Sequence, residues 1–162
     1  MREDLEVLMP LVQGKPAAFR GDLYRVNGAL QVKGGTPVPV RVAALGPKML
    51  ELTGRLADGT ATWMTGVRTL AEHTIPTIRR AAREAGRPDP RIVAALPIAL
   101  TADPDAAKQK ASQVFAIYGQ LPSYRAMLDR EGAAQPGDVA LAGDEPALRA
   151  GLARLRDAGV TH

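Results

Sequence analysis

The sequence predicts an α/β chain built from parallel β/α units. Three observations carry this. Short, almost wholly apolar runs, "VPVRVAAL", "TATWM" and "RIVAALPIAL", alternate with stretches that are apolar at helical spacing. Runs with no polar alternation suit strands buried on both faces, as in a parallel sheet covered by helices. The junctions carry punctuation that stops one element and starts the next: Gly46-Pro47, Asp58-Gly59 and Asp103-Pro104. The resulting order, β-α-β-α-β-α-(β), calls for right-handed crossovers. Two architectures satisfy it, an open doubly wound sheet and part of a (β/α)8 barrel.

Each element has its own signal. Arg2 to Val12 reads as a short helix, with Leu5, Leu8, Met9 and Val12 on one face and Pro10 near its end. "LYRVNGALQV" reads as a hairpin with Asn27-Gly28 at its tip. "KGGTP" is a loop. The first buried strand is Pro39–Ala44. A helix from Pro47 to Ala57 follows, its proline at the first position, where the missing N–H costs nothing. Met49, Leu52, Thr53 and Leu56 mark its inner face. Thr60–Met64 is the second buried strand. A helix from about Thr69 to Ala85 buries Leu70, Ile75, Ile78 and Ala82, is closed by Gly86, and is kinked or broken at Pro76. Arg91–Leu100 is the third strand. Asp103 caps a helix that runs to about Tyr118. "QLPSYRAMLDREG" is a further helical segment ended by Gly132, and Glu145 to Ala158 is the last helix. "GVTH", from Gly159, reads as the opening of a fourth strand. No repeat or linker divides the 162 residues, so one domain is expected.

Composition excludes several function classes. There is no cysteine, hence no disulfide and no thiolate metal site. The chain carries 21 basic and 17 acidic residues, interspersed, with only 4% aromatics; nucleic acid would call for clustered cations and stacking rings. No run approaches the roughly 18 apolar residues of a membrane span. "MREDLEVLMP" is acidic and amphipathic, unlike a secretory signal, so a cytoplasmic location is the default expectation.

The chemistry-bearing residues are few. Gly46-Pro47 lies where a strand's carboxyl end becomes a helix, the place α/β folds put ligands. A glycine there admits close backbone approach, and the free N–H groups of the helix favour a phosphate. A plain βα turn explains the same residues, and neither G-x-G-x-x-G nor G-x-x-x-x-G-K-[ST] is present. Trp63 and Met64 close the second strand, where the tryptophan serves either as core or as a site wall. His73 has no partner four residues on, and with His162 it is one of only two histidines, so no metal set is assembled. Ser112 and Ser123 lie outside any G-x-S-x-G, leaving no nucleophile–histidine pair. Tyr118, Tyr124 and Arg125 cluster after the third strand, as helix packing or as a pocket cover.

"PVRVAALGPKMLELTGRLADGTATWMTG" resembles the luciferase-like monooxygenase superfamily, in particular its oxidoreductases that use the deazaflavin coenzyme F-420. "GDLYRVNGAL", "RIVAALPIALTADPDAAKQKA", "YGQLPSYRAMLDREG" and "DVALAGDEPALRAGLARLRDAGVT" extend the resemblance over almost the whole chain. It implies a (β/α)8 barrel of roughly twice this length, of which this chain is the C-terminal half. Strands five to seven would be Pro39–Ala44, Thr60–Met64 and Arg91–Leu100, with strand eight starting at Gly159. The resemblance further implies hydride transfer between coenzyme F-420, or FMN as the alternative, and a small organic substrate. Ala43, Ala44, Leu45, Gly46 and Pro47 would line the ribityl-phosphate side of the cofactor. Trp63, Met64 and Thr65 would face the site from the next strand end. No catalytic residue and no metal is assigned. A half-barrel of this kind calls for a partner half or for self-association, because its outer strand edges are unpaired.

Overall fold

The computed structural model describes residues 1–32 and 34–162; Lys33, in the loop "KGGTP", lies outside them. Helix α1 (Arg2–Val12) leads into an antiparallel hairpin, β1 (Ala17–Arg20) and β2 (Arg25–Gly28). Then come β3 (Arg41–Ala43), α2 (Pro47–Leu56), β4 (Gly59–Trp63), α3 (Val67–Thr69), a π turn (Leu70–Thr74) and α4 (Ile75–Glu84). They are followed by β5 (Arg91–Ala95), β6 (Ile98–Leu100), α5 (Pro104–Val114), α6 (Pro122–Glu131), β7 (Leu141–Gly143) and α7 (Glu145–Asp157).

Strands β3, β4 and β5 form one parallel sheet in sequence order, and β6 pairs with β7 in a second parallel sheet. The last residues run beside β5. The Thr161 N–H donates to the Ile92 carbonyl at 2.9 Å and the Ala94 N–H to the His162 carbonyl at 3.0 Å. Strands thus follow one another around an arc with helices on its outside, an α/β arrangement that fits part of a (β/α)8 barrel.

The arc has two unlike faces. Along each strand side chains alternate. Val42, Thr60, Thr62 and Ile92 are buried under the helices. Their neighbours Arg41, Ala43, Arg91 and Ala95 are exposed on the concave side. Burial on both faces, expected from the apolar runs, therefore holds for the helix-covered face only. There Ala44, Leu50, Leu70, Ile75, Ile78, Ile92 and Leu155 form the main core.

Several elements differ from the sequence reading, each for a tertiary reason. Helix α2 turns Leu50, Thr53 and Gly54 inward, leaving Met49, Leu52 and Leu56 half-buried. Gly54 sets this rotation: a Cβ there would lie 2.4 Å from the Ile78 carbonyl oxygen, so only glycine lets α2 and α4 approach so closely. The run from Arg91 to Leu100 is two strands. Pro97 has no N–H to give a ladder, and its carbonyl accepts from Leu141, which hands the chain from one sheet to the other. The small residues of β7 gave no strand signal, and that strand was missed.

The hairpin turns at Gly21–Tyr24, and Asn27 and Gly28 lie within β2, opposite Ala18 and Ala17. The turn is made by a distant group: the buried Glu3 carboxylate accepts the N–H groups of Asp22, Leu23 and Tyr24 at 2.9–3.0 Å. Pro76, which cannot donate to the carbonyl four residues back, sits just after the π turn that absorbs the misfit. Helix α5 stops at Val114, and a separate 3-10 turn, Ala116–Gly119, carries Tyr118 towards Trp63.

Candidate active site at the carboxyl ends of the strands

The carboxyl ends of β3, β4 and β5 enclose a cavity of about 490 Å³. Its floor is Ala43 from β3, Ala61 from β4 and Ala95 from β5, all small and all on the concave side of the sheet. The β3–α2 corner supplies one wall, Ala44, Leu45 and Gly46, with Met49 behind it. Trp63 closes the tip of β4, beside Thr62. The opposite wall comes from α6 through Ser123 and Tyr124.

Local physics explains the placement. Gly46 starts α2 in an extended conformation and Pro47 takes the first helical position. The Leu50 N–H bonds back to the Gly46 carbonyl at 3.0 Å, and no side chain caps the helix. The N–H groups of Lys48 and Met49 therefore stay open to a ligand oxygen. At the β4 tip Met64 has φ 55°, the one non-glycine with positive φ among the described residues. That conformation is costly for an unbranched side chain, and such strain clusters at functional sites. It turns the chain sharply after Trp63 while the Met64 N–H still bonds to the Ala95 carbonyl.

The aromatic side chains form a connected set. Trp63 meets Phe115 and Tyr118 edge-on at centroid distances of 5.4 and 6.0 Å, and Tyr118 meets Tyr124 at 4.7 Å. These contacts tie the β4 tip to α6 and hold Tyr124 over the cavity. The indole Nε1–H of Trp63 is buried and has no acceptor among the described residues.

Of the residues singled out in the sequence, Ala43, Ala44, Leu45, Gly46 and Trp63 meet at this cavity. Pro47 is exposed beside it, and Met64 and Thr65 are buried beneath the β4 tip rather than lining it. Ser123, Tyr124, Met49, Ala61, Thr62 and Ala95 line the cavity without having been singled out for it, apart from Tyr124 as an element of a possible cover. Strand register, which brings Ala61 beside Ala43 and Ala95 beside Trp63, was the signal that would have found two of them. Among the described residues no carboxylate, lysine or histidine lines the cavity. Just behind the wall, His73 Nε2 lies 3.1 Å from the Leu45 carbonyl. Burial pushes the imidazole below its usual pKa; the Leu45 carbonyl opposes this and Arg130 adds to it. Asp58 is structural: it accepts the Val40 N–H at 2.8 Å and pairs with Arg87 at 3.0 Å, at the opposite end of the strands.

An (α/β) arc with its cavity at the strands' carboxyl ends is the layout of a barrel enzyme. The Luciferase-like monooxygenase family model matches residues 1–162, and the chain belongs to that family. A 5,10-methylenetetrahydromethanopterin reductase of Methanolobus tindarius is 29% identical over 157 residues, covering 93% of this chain and 48% of that protein. An F-420-dependent glucose-6-phosphate dehydrogenase of Mycobacterium tuberculosis (strain H37Rv) is 34% identical over 108 residues, 65% of this chain and 32% of that protein. The solved coenzyme F-420-dependent tetrahydromethanopterin reductase of Methanopyrus kandleri superposes with a TM-score of 0.77 at 22% identity, over 99% of this chain and 55% of that one. The relatives are thus oxidoreductases of the luciferase-like family, and the chain spans no more than about half of their length.

Proposed function

We propose that this chain supplies the cofactor-binding wall of a deazaflavin-dependent oxidoreductase, which transfers hydride between coenzyme F-420 and a small organic substrate. The observation that carries this is the apolar cavity at the carboxyl ends of β3, β4 and β5, walled by the Leu45–Gly46 corner and by Trp63. The residues fit such a group. A ring system needs a dry, flat-walled slot, which the alanines, Trp63 and Tyr124 provide. A phosphate-bearing tail needs N–H donors, which the uncapped start of α2 provides at Gly46, Lys48 and Met49. The hydride chemistry is the cofactor's own; the chain's part is to bind, orient and exclude water. Ala43, Ala44, Leu45, Gly46 and Pro47 form the tail side in this reading. Trp63 faces the ring, and Met64 and Thr65 act from below by fixing the strained β4 tip.

The test is titration of the protein with coenzyme F-420 and, separately, with FMN, followed by cofactor fluorescence. Saturable binding of the deazaflavin in preference to FMN is expected. Equal or better binding of FMN moves the protein to the flavin monooxygenase branch, and saturation by neither ends the proposal.

A second reading concerns completeness. The exposed concave residues Arg41, Ala43, Arg91 and Ala95, with no strand paired to the outer edge of β3 among the described residues, favour a half-barrel closed by further strands. Those strands would come from a partner half or from a second copy. Sedimentation equilibrium decides: a well-folded monomer that stays monomeric at rising concentration speaks against closure by a second copy.

A further inference from the structure

His73 has no histidine or carboxylate four residues on, and it does not line the cavity. Its position is nonetheless specific. The π turn Leu70–Thr74 inserts an extra residue ahead of Pro76 and swings His73 towards the β3–α2 corner. There Nε2 stands 3.1 Å from the carbonyl oxygen of Leu45, itself a wall residue of the cavity. An imidazole kept neutral by burial can hold one proton on Nε2 and donate it to that carbonyl.

The consequence lies on the other side of the same peptide bond. No cis peptide occurs among the described residues, so the carbonyl of Leu45 and the N–H of Gly46 point in opposite directions. With the carbonyl drawn towards His73 in the π turn, the Gly46 N–H is directed away from that turn. That N–H has no acceptor among the described residues. Flipping the peptide would instead present a carbonyl oxygen to the ligand, which repels an anion. The position of Gly46 is open as well: a Cβ there would meet nothing within 4 Å.

We propose that His73 is a positioning residue: by donating from Nε2 to the Leu45 carbonyl it fixes the Leu45–Gly46 peptide with its N–H free for an anionic ligand oxygen. The ligand side of this statement rests on the proposed cofactor reading; the peptide geometry does not. α2 and α4 are locked together at Gly54, so α4 is a fixed support for the π turn from which His73 reaches the corner.

The experiment uses two variants. H73F keeps an aromatic ring and removes the donor, and H73Q keeps an N–H near the Nε2 position. Amide exchange is read for the segment from Gly46 to Leu50, where the Leu50 N–H bonded to the Gly46 carbonyl is the protected amide, and F-420 affinity is read by fluorescence titration. H73F is expected to exchange roughly five- to tenfold faster in that segment and to lose affinity by a similar factor, the worth of one hydrogen bond, with H73Q close to the parent. Unchanged exchange in H73F, or equal acceleration in H73F and H73Q, overturns the proposal. If the parent chain itself binds no F-420, the cofactor reading falls, and the exchange measurement still decides the role of His73. Should H73F not fold, exchange in H73Q against H73N, whose amide is too short to reach, makes the same distinction.

Discussion

The two faces of the β3–β4–β5 sheet use the same strands for opposite ends. On the helix-covered face Ile92, Thr60 and Thr62 are nearly or fully buried, and Leu50, Leu70 and Ile78 press on them. On the concave face the same strands carry Ala43, Ala61, Trp63 and Ala95, small or flat, around open space. The difference teaches where the fold's stability resides. The outer face supplies the burial that holds the sheet, which frees the inner face to be shaped for a ligand. Substitutions that cross from one face to the other should therefore separate stability from binding.

The largest effect should come from adjacent residues of one strand. Ile92→Ala, at a fully buried position, is expected to cost about 2–5 kcal/mol, whereas Val93→Ala, one residue on and facing the concave side, costs well under half of that. Urea unfolding of both variants checks this, and equal losses would erase the distinction between the faces. Next comes Gly54→Ala, which drives a methyl group into the Ile78 carbonyl and should cost about 1–3 kcal/mol by forcing α2 from α4.

The α1–hairpin region packs beside the sheet, where Leu5 and Met9 meet Val42, and its turn depends on one carboxylate. The Leu23 N–H above all, with those of Tyr24 and Asp22, holds the Glu3 carboxyl below its usual pKa. The unfolded chain then binds the proton more readily than the folded one. This contribution is full above the ordinary value of 4.5 and is lost as the pH falls through the lower folded value. Glu3→Gln should lower the melting temperature at neutral pH and flatten its fall in acid, as followed by circular dichroism. A parallel fall in both proteins would contradict the assignment. The smallest effect on stability is expected for Gly46→Ala, under about 1 kcal/mol, because φ is −78° and the added methyl group meets no protein atom. Its effect on F-420 affinity should nevertheless exceed that of Val93→Ala.

How much of this was legible in the sequence follows from the range of the interactions. Local signals were sufficient for the helix starts. Asp103 and Asp144 accept the N–H groups of Ala106 and Ala147 at 3.0 Å, as capping residues at those positions should. Gly132, with φ 79°, ends α6 as a left-handed cap. The corner at Gly46-Pro47 and the end of β4 at Trp63 were visible for the same reason, since both are punctuation within a few residues. What could not be read is what a distant partner imposes. Glu3 moves the hairpin tip to residues some twenty positions away. Pro97 divides one apolar run between two sheets. Met64 takes a left-handed conformation because the β4 tip must turn, and nothing in "TWMTG" announces it. His73 acquires its carbonyl partner only through a π turn. Tyr124 reaches the cavity through long-range packing of α6, by Tyr124 on Tyr118 and by Leu128 beside Met64.

The central claim, that the concave carboxyl end of the arc is a cofactor wall, has a reporter built in. Trp63 is the only tryptophan of the chain, and it lines the cavity. Titration with oxidised coenzyme F-420, corrected for absorption of the exciting and emitted light, is expected to quench its emission along a saturating curve. That curve should be weakened in Gly46→Ala and preserved in Val93→Ala. Quenching that stays linear in cofactor concentration, or that is the same in Gly46→Ala as in the parent, would contradict it.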